Sequence, residues 1–237
     1  MIYAVDIDGT LFFEGIGLAE GAVEFIQHLY TKGHVYLLSN NSTQSRIQMQ
    51  EKVYPVVMDE DHIVSTLAMV EYTIRKEEIA SAYYIGNFVL EQYIINSGAK
   101  IDRNNAEAVF IGYTQNPKFS SITIASRLVK SGAKFYSLGN DSFYPVFGKL
   151  TPGVGYLEGA IAQITGKQPM MLGKPGVSML NMISEKENSK DIIMVGDNPD
   201  TDIRMANSFG CKSLLIGKRD PRATYCAKDL KEAMKKI

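Results

Sequence analysis

Almost the whole chain alternates short apolar runs with segments of helical apolar spacing, and no other feature restricts its fold as tightly. MIYAV opens as a strand. GAVEFIQHLYTKG follows, with Val23, Phe25, Ile26, Leu29 and Tyr30 on one helical face and Gly33 placed as a C-cap. HVYLLS reads as the next strand, and QSRIQMQEKV and STLAMVEYTIRKEE as helices. The middle repeats the order in SAYYIG, VLEQYIINSG, AEAVFIGY, SSITIASRLVKSG and AKFYSLGN. The last third repeats it in PMMLG, VSMLNMISEKEN, DIIMVG, TDIRMANSFG and SLLIG. Strands separated by helices are joined by crossovers and lie parallel, so the pattern predicts an α/β architecture. A chain of 237 residues suits one large domain or two modest ones. If there are two, one is inserted in the other, with short hinges near Ala80 and Gly166.

Composition narrows the functional classes. Charged residues make up 22% of the chain and the net charge is −1, which leaves no broad basic surface for nucleic acid. The lysine-rich end (Lys228, Lys231, Lys235, Lys236) reads as a solvated last helix. Two cysteines, Cys211 and Cys226, are too few for a disulfide framework or a zinc cluster. No secretory signal and no apolar run of the ~20 residues that span a bilayer is visible, so the expectation is a soluble cytoplasmic protein without a membrane partner. Its oligomeric state is open, a homodimer included.

In a parallel open sheet, ligands bind beyond the C-terminal strand ends, and four apolar runs end in polar groups. The first ends in Asp6 and Asp8, which strand alternation would point the same way. Taken alone, DIDGT also reads as an ordinary capped turn. The second run ends in Ser39, Asn40 and Asn41, hydroxyl and amide groups suited to an oxyanion. The third ends in LGKPG, where Pro175 suits the first turn of a helix and Lys174 meets an anion. The fourth, VGDNPDTDI, carries Asp197, Asp200 and Asp202, with Asp200 or Thr201 as a helix N-cap. Asp6, Asp8, Asp197 and Asp202 at one edge repel without a cation, and oxygen-only ligands favour a hard ion such as Mg²⁺. Phosphate fits best as the substrate group. His28, His34 and His62 lie away from these strand ends and read as structural.

These motifs are familiar together. DIDGT, LLSNNS, GKPG and GDNPDTD, in that order, resemble the four motifs of the haloacid dehalogenase-like (HAD) superfamily of aspartate-nucleophile phosphotransferases. SNNST, GNDSFYP, TPGVGYLEGAIAQITGKQP and VGDNPDTDI are similar to its branch of p-nitrophenyl, nucleotide, phosphoglycolate and pyridoxal phosphatases. The stretch QEKVYPVVMD departs from that branch, whose members usually carry a Leu- and Gly-bearing helix end there. The resemblance implies a Rossmann-like core over residues 1–79 and 168–237 and an inserted α/β cap domain over 80–167.

It also implies roles. Asp6 is expected as the nucleophile that forms an aspartyl-phosphate, and Asp8 as the proton donor and later the base. Mg²⁺ is expected on Asp6, the Asp8 carbonyl and Asp197. Ser39, Asn40, Asn41, Lys174 and Asn198 are expected on the phosphate or substrate, and Asp202 as support for Lys174. In the cap, Asn140 and Asp141 are the candidate substrate-facing residues, against a plain polar turn before Pro145. The partner is then a small phosphomonoester: a sugar phosphate, nucleoside monophosphate, phosphoglycolate or similar. A dehalogenase or mutase on the same fold, and a phosphoacceptor module that does not turn over, are the alternatives. A dehalogenase has no need of Asp8, and a receiver-type module none of an inserted cap.

Overall fold

The parallel sheets expected from the alternation are present, and there are two of them. The computed structural model describes residues 1–141, 143–146 and 149–237, with the backbone alone at 143–146 and 149–151. The chain divides into two compact units. The first comprises Met1–Ser39, Arg46–Val64 and Lys174–Ile237, and the second Asn40–Ser45 and Ser65–Gly173. The second unit is wider than the block from 80 to 167, since it takes in the helix Thr66–Lys76 and the strand Met170–Met171.

The first unit's sheet has six strands, in the order Tyr225–Ala227, Lys212–Ile216, Ile192–Gly196, Ile2–Asp6, His34–Ser39, Ile63–Ser65. Ile2–Asp6 pairs in parallel with both neighbours, Val5 opposite Val195 on one side and Asp6 opposite Leu38 on the other. Every residue of Ile2–Asp6 and of Ile192–Gly196 is buried, as in a sheet covered on both faces, and such strands read as unbroken apolar runs. The helix Ala22–Tyr30 covers one face with Ala22, Phe25, Ile26 and Leu29. Strands added later in the chain lie on either side of Ile2–Asp6, so this strand stands at a topological switch point, the place where such sheets bind ligands.

The second unit's sheet has five strands, in the order Met170–Met171, Lys134–Ser137, Ala108–Ile111, Ser81–Ile85, Lys100–Ile101, all paired in parallel. The helices Phe119–Lys130 and Val154–Thr165 bury Ile122, Ala125, Leu128, Leu157 and Ile161 in one core with Ile85, Val109 and Ile111. Phe143–Val146 and Lys149–Pro152 form a separate antiparallel hairpin. Among the described residues no helix is long and apolar enough to cross a membrane.

Local expectations fail at four places, each for a physical reason. The strand in PMMLG joins the second sheet, because periodicity marks a strand without telling which sheet it enters. Pro175 is not in a helix, for the next helix starts at Ser178. Gly33 is not a left-handed cap: Thr31 caps the helix, and a Cβ at Gly33 would stand 2.1 Å from the Met1 carbonyl oxygen. Asn198, rather than Asp200 or Thr201, caps the turn of π-helix Pro199–Ile203 that leads into the helix Arg204–Phe209, accepting from the Asp200 N–H at 2.9 Å.

Candidate active site

Asp6 is the last residue of the central strand and is buried, its backbone locked in the ladder opposite Leu38. Its Oδ2 accepts from the Thr10 hydroxyl at 2.8 Å, and its Oδ1 accepts from Lys174 Nζ. Lys174, itself buried, also pairs with Asp202 Oδ1 at 2.7 Å. Asp202 Oδ2 in turn accepts the backbone N–H of Asn198 at 3.0 Å, so the loop after Ile192–Gly196 fixes the third member of the chain. Asp197 closes the group against Gly9. There φ is +94°, and an added Cβ would stand 2.9 Å from the Asp197 carboxyl, so only glycine fits.

Asp6, Asp197 and Asp202 each offer an oxygen within 4.8 Å of the others. Asp6 and Asp202 are buried and Asp197 half-buried, and these three carboxylates outnumber Lys174, which pairs with two of them, and Lys218, which acts on Asp197, an arrangement that is costly without a further cation. The proton affinities register this. Burial raises the Asp6 carboxyl above the ordinary carboxylate range, with Asp202 adding to the rise while Lys174 and Thr10 oppose it. Burial and then Asp202 raise Asp197 as well. Burial disfavours the Lys174 charge, but Asp202 and Asp6 outweigh it and hold the ammonium well above the ordinary lysine range. A hard divalent ion with oxygen ligands matches both the donor set and the missing charge.

Asp8 takes a different place. The strand stops at Asp6 and the chain turns, so Asp8 makes only an isolated bridge to Phe12 and its side chain is 44% exposed. Its Oδ2 accepts from the Ser39 hydroxyl at 2.9 Å, and its Oδ1 pairs with Lys52. The carboxylates that gather are therefore Asp6, Asp197 and Asp202. Strand alternation does not extend to Asp8, because the turn begins before it. Nothing in the sequence marks Lys52 beyond its place at a helix end.

The remaining candidates lie in loops. Asn41 closes its own turn, its Oδ1 accepting from the Thr43 and Gln44 N–H groups at 2.8 and 2.9 Å. Asn40, Asn41, Ser42, Thr43, Tyr113 and Asp141 line a cavity of about 320 Å³ in the second unit. Asn140 is exposed and does not line it, while Ser142 of the same motif lies outside the described residues. The histidines serve packing and hydrogen bonding: His62 stacks on Tyr36 at 4.3 Å and its Nδ1 lies 3.0 Å from the Val35 carbonyl oxygen, and His28 Nε2 lies 3.2 Å from that of Ile237.

Two family models match. Residues 3–100 fit the haloacid dehalogenase-like hydrolase model, and residues 171–233 a second, HAD-hydrolase-like one. An acid sugar phosphatase from Staphylococcus haemolyticus is 28% identical, the match covering 99% of this chain and 95% of the relative. A putative p-nitrophenyl phosphatase structure from Bacillus subtilis is 27% identical with a TM-score of 0.86, covering 99% of this chain and 95% of that one. A glycerol phosphate phosphatase from Mycobacterium tuberculosis, solved in complex with magnesium, is 23% identical with a TM-score of 0.81, covering 98% and 75%. The two ends of the chain thus match haloacid dehalogenase-like hydrolase models, and over nearly its whole length the chain is similar to acid sugar and p-nitrophenyl phosphatases.

Proposed function

We propose that this chain hydrolyses small phosphomonoesters in the presence of Mg²⁺, passing the phosphoryl group through Asp6. Phosphatase action on small phosphorylated substrates follows from the branch; the course of the reaction is inferred from the residues. The observation that carries it is the buried Asp6 carboxylate, tied to Lys174 and set beside Asp197 and Asp202 at a switch point of the parallel sheet.

An Asp6 carboxylate oxygen attacks phosphorus, the bond to the leaving oxygen breaks, and Asp8 gives that oxygen its proton. Asp8 then takes a proton from the water that attacks the aspartyl-phosphate, which frees inorganic phosphate and restores Asp6. Lys174 stays charged throughout, so it can hold a phosphoryl oxygen as charge moves on to it. Asp202 keeps that ammonium in place, and Asn198 keeps Asp202 in place. Asp6 and Asp197, with the Asp8 backbone carbonyl, are the groups to hold Mg²⁺. When bound, Mg²⁺ offsets the repulsion between the nucleophile and the phosphate. The second unit's cavity, rimmed by Asn40, Asn41 and Asp141, is assigned to the leaving group in this reading. The sugar, nitrophenyl and glycerol phosphatases among the relatives, and the magnesium in one of them, support this class of substrate and ion.

The test is a panel of phosphomonoesters with Mg²⁺ and with chelator, joined to acid quenching with substrate labelled in the phosphoryl group. Turnover should vanish with chelator and return with Mg²⁺, with Ca²⁺ a poor substitute because it prefers more and longer contacts. Label should remain on Asp6 after the quench. Full activity in excess chelator, or label on no residue during turnover, overturns the proposal.

A further inference from the structure

We propose that Lys52 is the positioning residue for Asp8. Lys52 stays on Oδ1 in both protonation states, and Oδ2, which accepts from Ser39 when Asp8 is ionised, is the oxygen that carries the proton, the Ser39 hydroxyl then turning aside. This rests on the reading of Asp8 as proton carrier.

Three elements meet at this point. Asp8 sits past the end of the first strand, in a bridge with Phe12. Ser39, the last residue of the neighbouring strand, donates to Oδ2 at 2.9 Å. Lys52, the last residue of the helix Arg46–Lys52, donates to Oδ1. The Lys52 ammonium also lies 4.6 Å from the centroid of the Phe12 ring, the residue that bridges Asp8. Lys52 is only 16% exposed, against 44% for Asp8. The flexible partner is thus the better buried of the two, an uncommon state for a lysine.

Stability explains this poorly, because an ion pair with one solvent-exposed partner contributes little to it. Proton transfer explains it better. A carboxylate on a turn and nearly half in water samples several rotamers, and a donor must hold one geometry against the leaving oxygen. Two donors from two different elements restrict both torsions of the ionised Asp8 at once. Lys174 already holds Asp6 and Asp202, so the site has one ammonium for the nucleophile and a second for the proton carrier.

The test uses the dependence on the leaving group. p-Nitrophenolate leaves without needing a proton, whereas the alkoxide of an alkyl phosphate does need one. Asp8→Asn, Lys52→Met and the double variant are compared in kcat on p-nitrophenyl phosphate and on glycerol phosphate. Lys52→Met keeps the stem over Phe12; Lys52→Gln replaces it if thermal melting shows the Met variant unfolded. Asp8→Asn should lower kcat on the alkyl substrate by about 10²-fold or more and much less on the nitrophenyl one. Lys52→Met should show the same bias at roughly tenfold, and should add little to Asp8→Asn. Equal losses on both substrates, or full additivity in the double variant, overturn the proposal and make Lys52 a phosphate contact or a structural lysine. If Asp8→Asn itself shows no bias, the role of Asp8 fails first, and that result is distinguishable from a failure of Lys52 alone.

Discussion

In the first unit the strand Ile2–Asp6 ends on a buried carboxylate bound to a buried ammonium, whereas in the second unit Ser81–Ile85 and Ala108–Ile111 run out into Gly86 and Gly112. Both sheets are parallel and both have apolar cores, so the difference lies in the residues at and beyond the strand ends. Fixed, desolvated charges suit the one group common to all substrates, because their geometry and strength do not change from substrate to substrate. The second unit offers a cavity rimmed by amides, hydroxyls and one exposed carboxylate, suited to hydrogen-bonding leaving groups that differ. On the proposed function, the chemistry falls to the first unit and the choice of substrate to the second.

The largest effect should come from Asp6. Asp6→Asn keeps the shape and the Thr10 contact but removes the nucleophile, so turnover of every substrate should fall by about 10⁴-fold or more, to near background. The variant should remain folded, since it relieves repulsion with Asp202 rather than breaking apolar packing. A folded Asn variant that keeps substantial turnover would remove the covalent chemistry from the first unit.

Gly9 tests how finely that unit is set. Gly9→Ala puts a methyl group 2.9 Å from the Asp197 carboxyl at a φ of +94°, which costs about 1–3 kcal/mol in strain or displaces Asp197. The Mg²⁺ concentration for half-maximal activity should rise, by roughly tenfold if about 1.4 kcal/mol reaches the metal site. An unchanged Mg²⁺ titration would show that Asp197 does not hold the ion.

Much of this difference is legible in the sequence. Singly, the acids read as turn or helix-cap residues and Lys174 as a surface lysine; Asp6, Lys174, Asp197 and Asp202 stand out because polar groups end several apolar runs of one parallel pattern, and the structure brings these four together. The parallel sheets are legible for the same reason, since buried strands and amphipathic helices carry distinct periods. The rest depends on tertiary contacts that no local pattern encodes. Lys52 reaches Asp8 across 44 residues from the end of an ordinary helix. The two-residue strand Met170–Met171 is too short to declare its sheet, and the hairpin Phe12–Phe13 with Gly17–Leu18 is too short to show alternation. Asp8 departs from the strand pattern because a turn begins directly after Asp6.

A smaller effect separates the units by selectivity. Lys174→Ala removes a contact to the shared phosphoryl group and should depress kcat/KM by similar factors on all substrates. Asp141→Ala should act unevenly, by about tenfold on esters whose leaving group hydrogen-bonds there, for a lost bond of about 1–3 kcal/mol, and least on p-nitrophenyl phosphate. Asn140→Ala, whose side chain is exposed and off the cavity, should change little. Equal scaling of all substrates by Asp141→Ala would break the division between the two units.

The smallest effect concerns a half-buried carboxylate of the second unit that pairs with no cation among the described residues. Glu158, on the helix Val154–Thr165, has a buried Oε2 with no hydrogen-bond partner. Burial raises its proton affinity above the ordinary glutamate value of 4.5, and a hydrogen bond with Ser137 opposes the rise only in part. A native state that binds the proton more tightly than the unfolded chain gains stability below the unfolded value, and loses it as pH rises through the folded one. Glu158→Gln keeps the shape and never ionises, so it should match the wild type at acid pH and exceed it at neutral pH. Half exposure weakens the effect, leaving a gain below about 1 kcal/mol. Urea unfolding of both proteins at about pH 4.5 and about pH 7.5 measures the difference. If the Gln variant is the less stable at neutral pH, the Glu158 charge is compensated in the native state. The second unit would then hold a paired buried charge as the first does, and the contrast between them would narrow to the number of such charges.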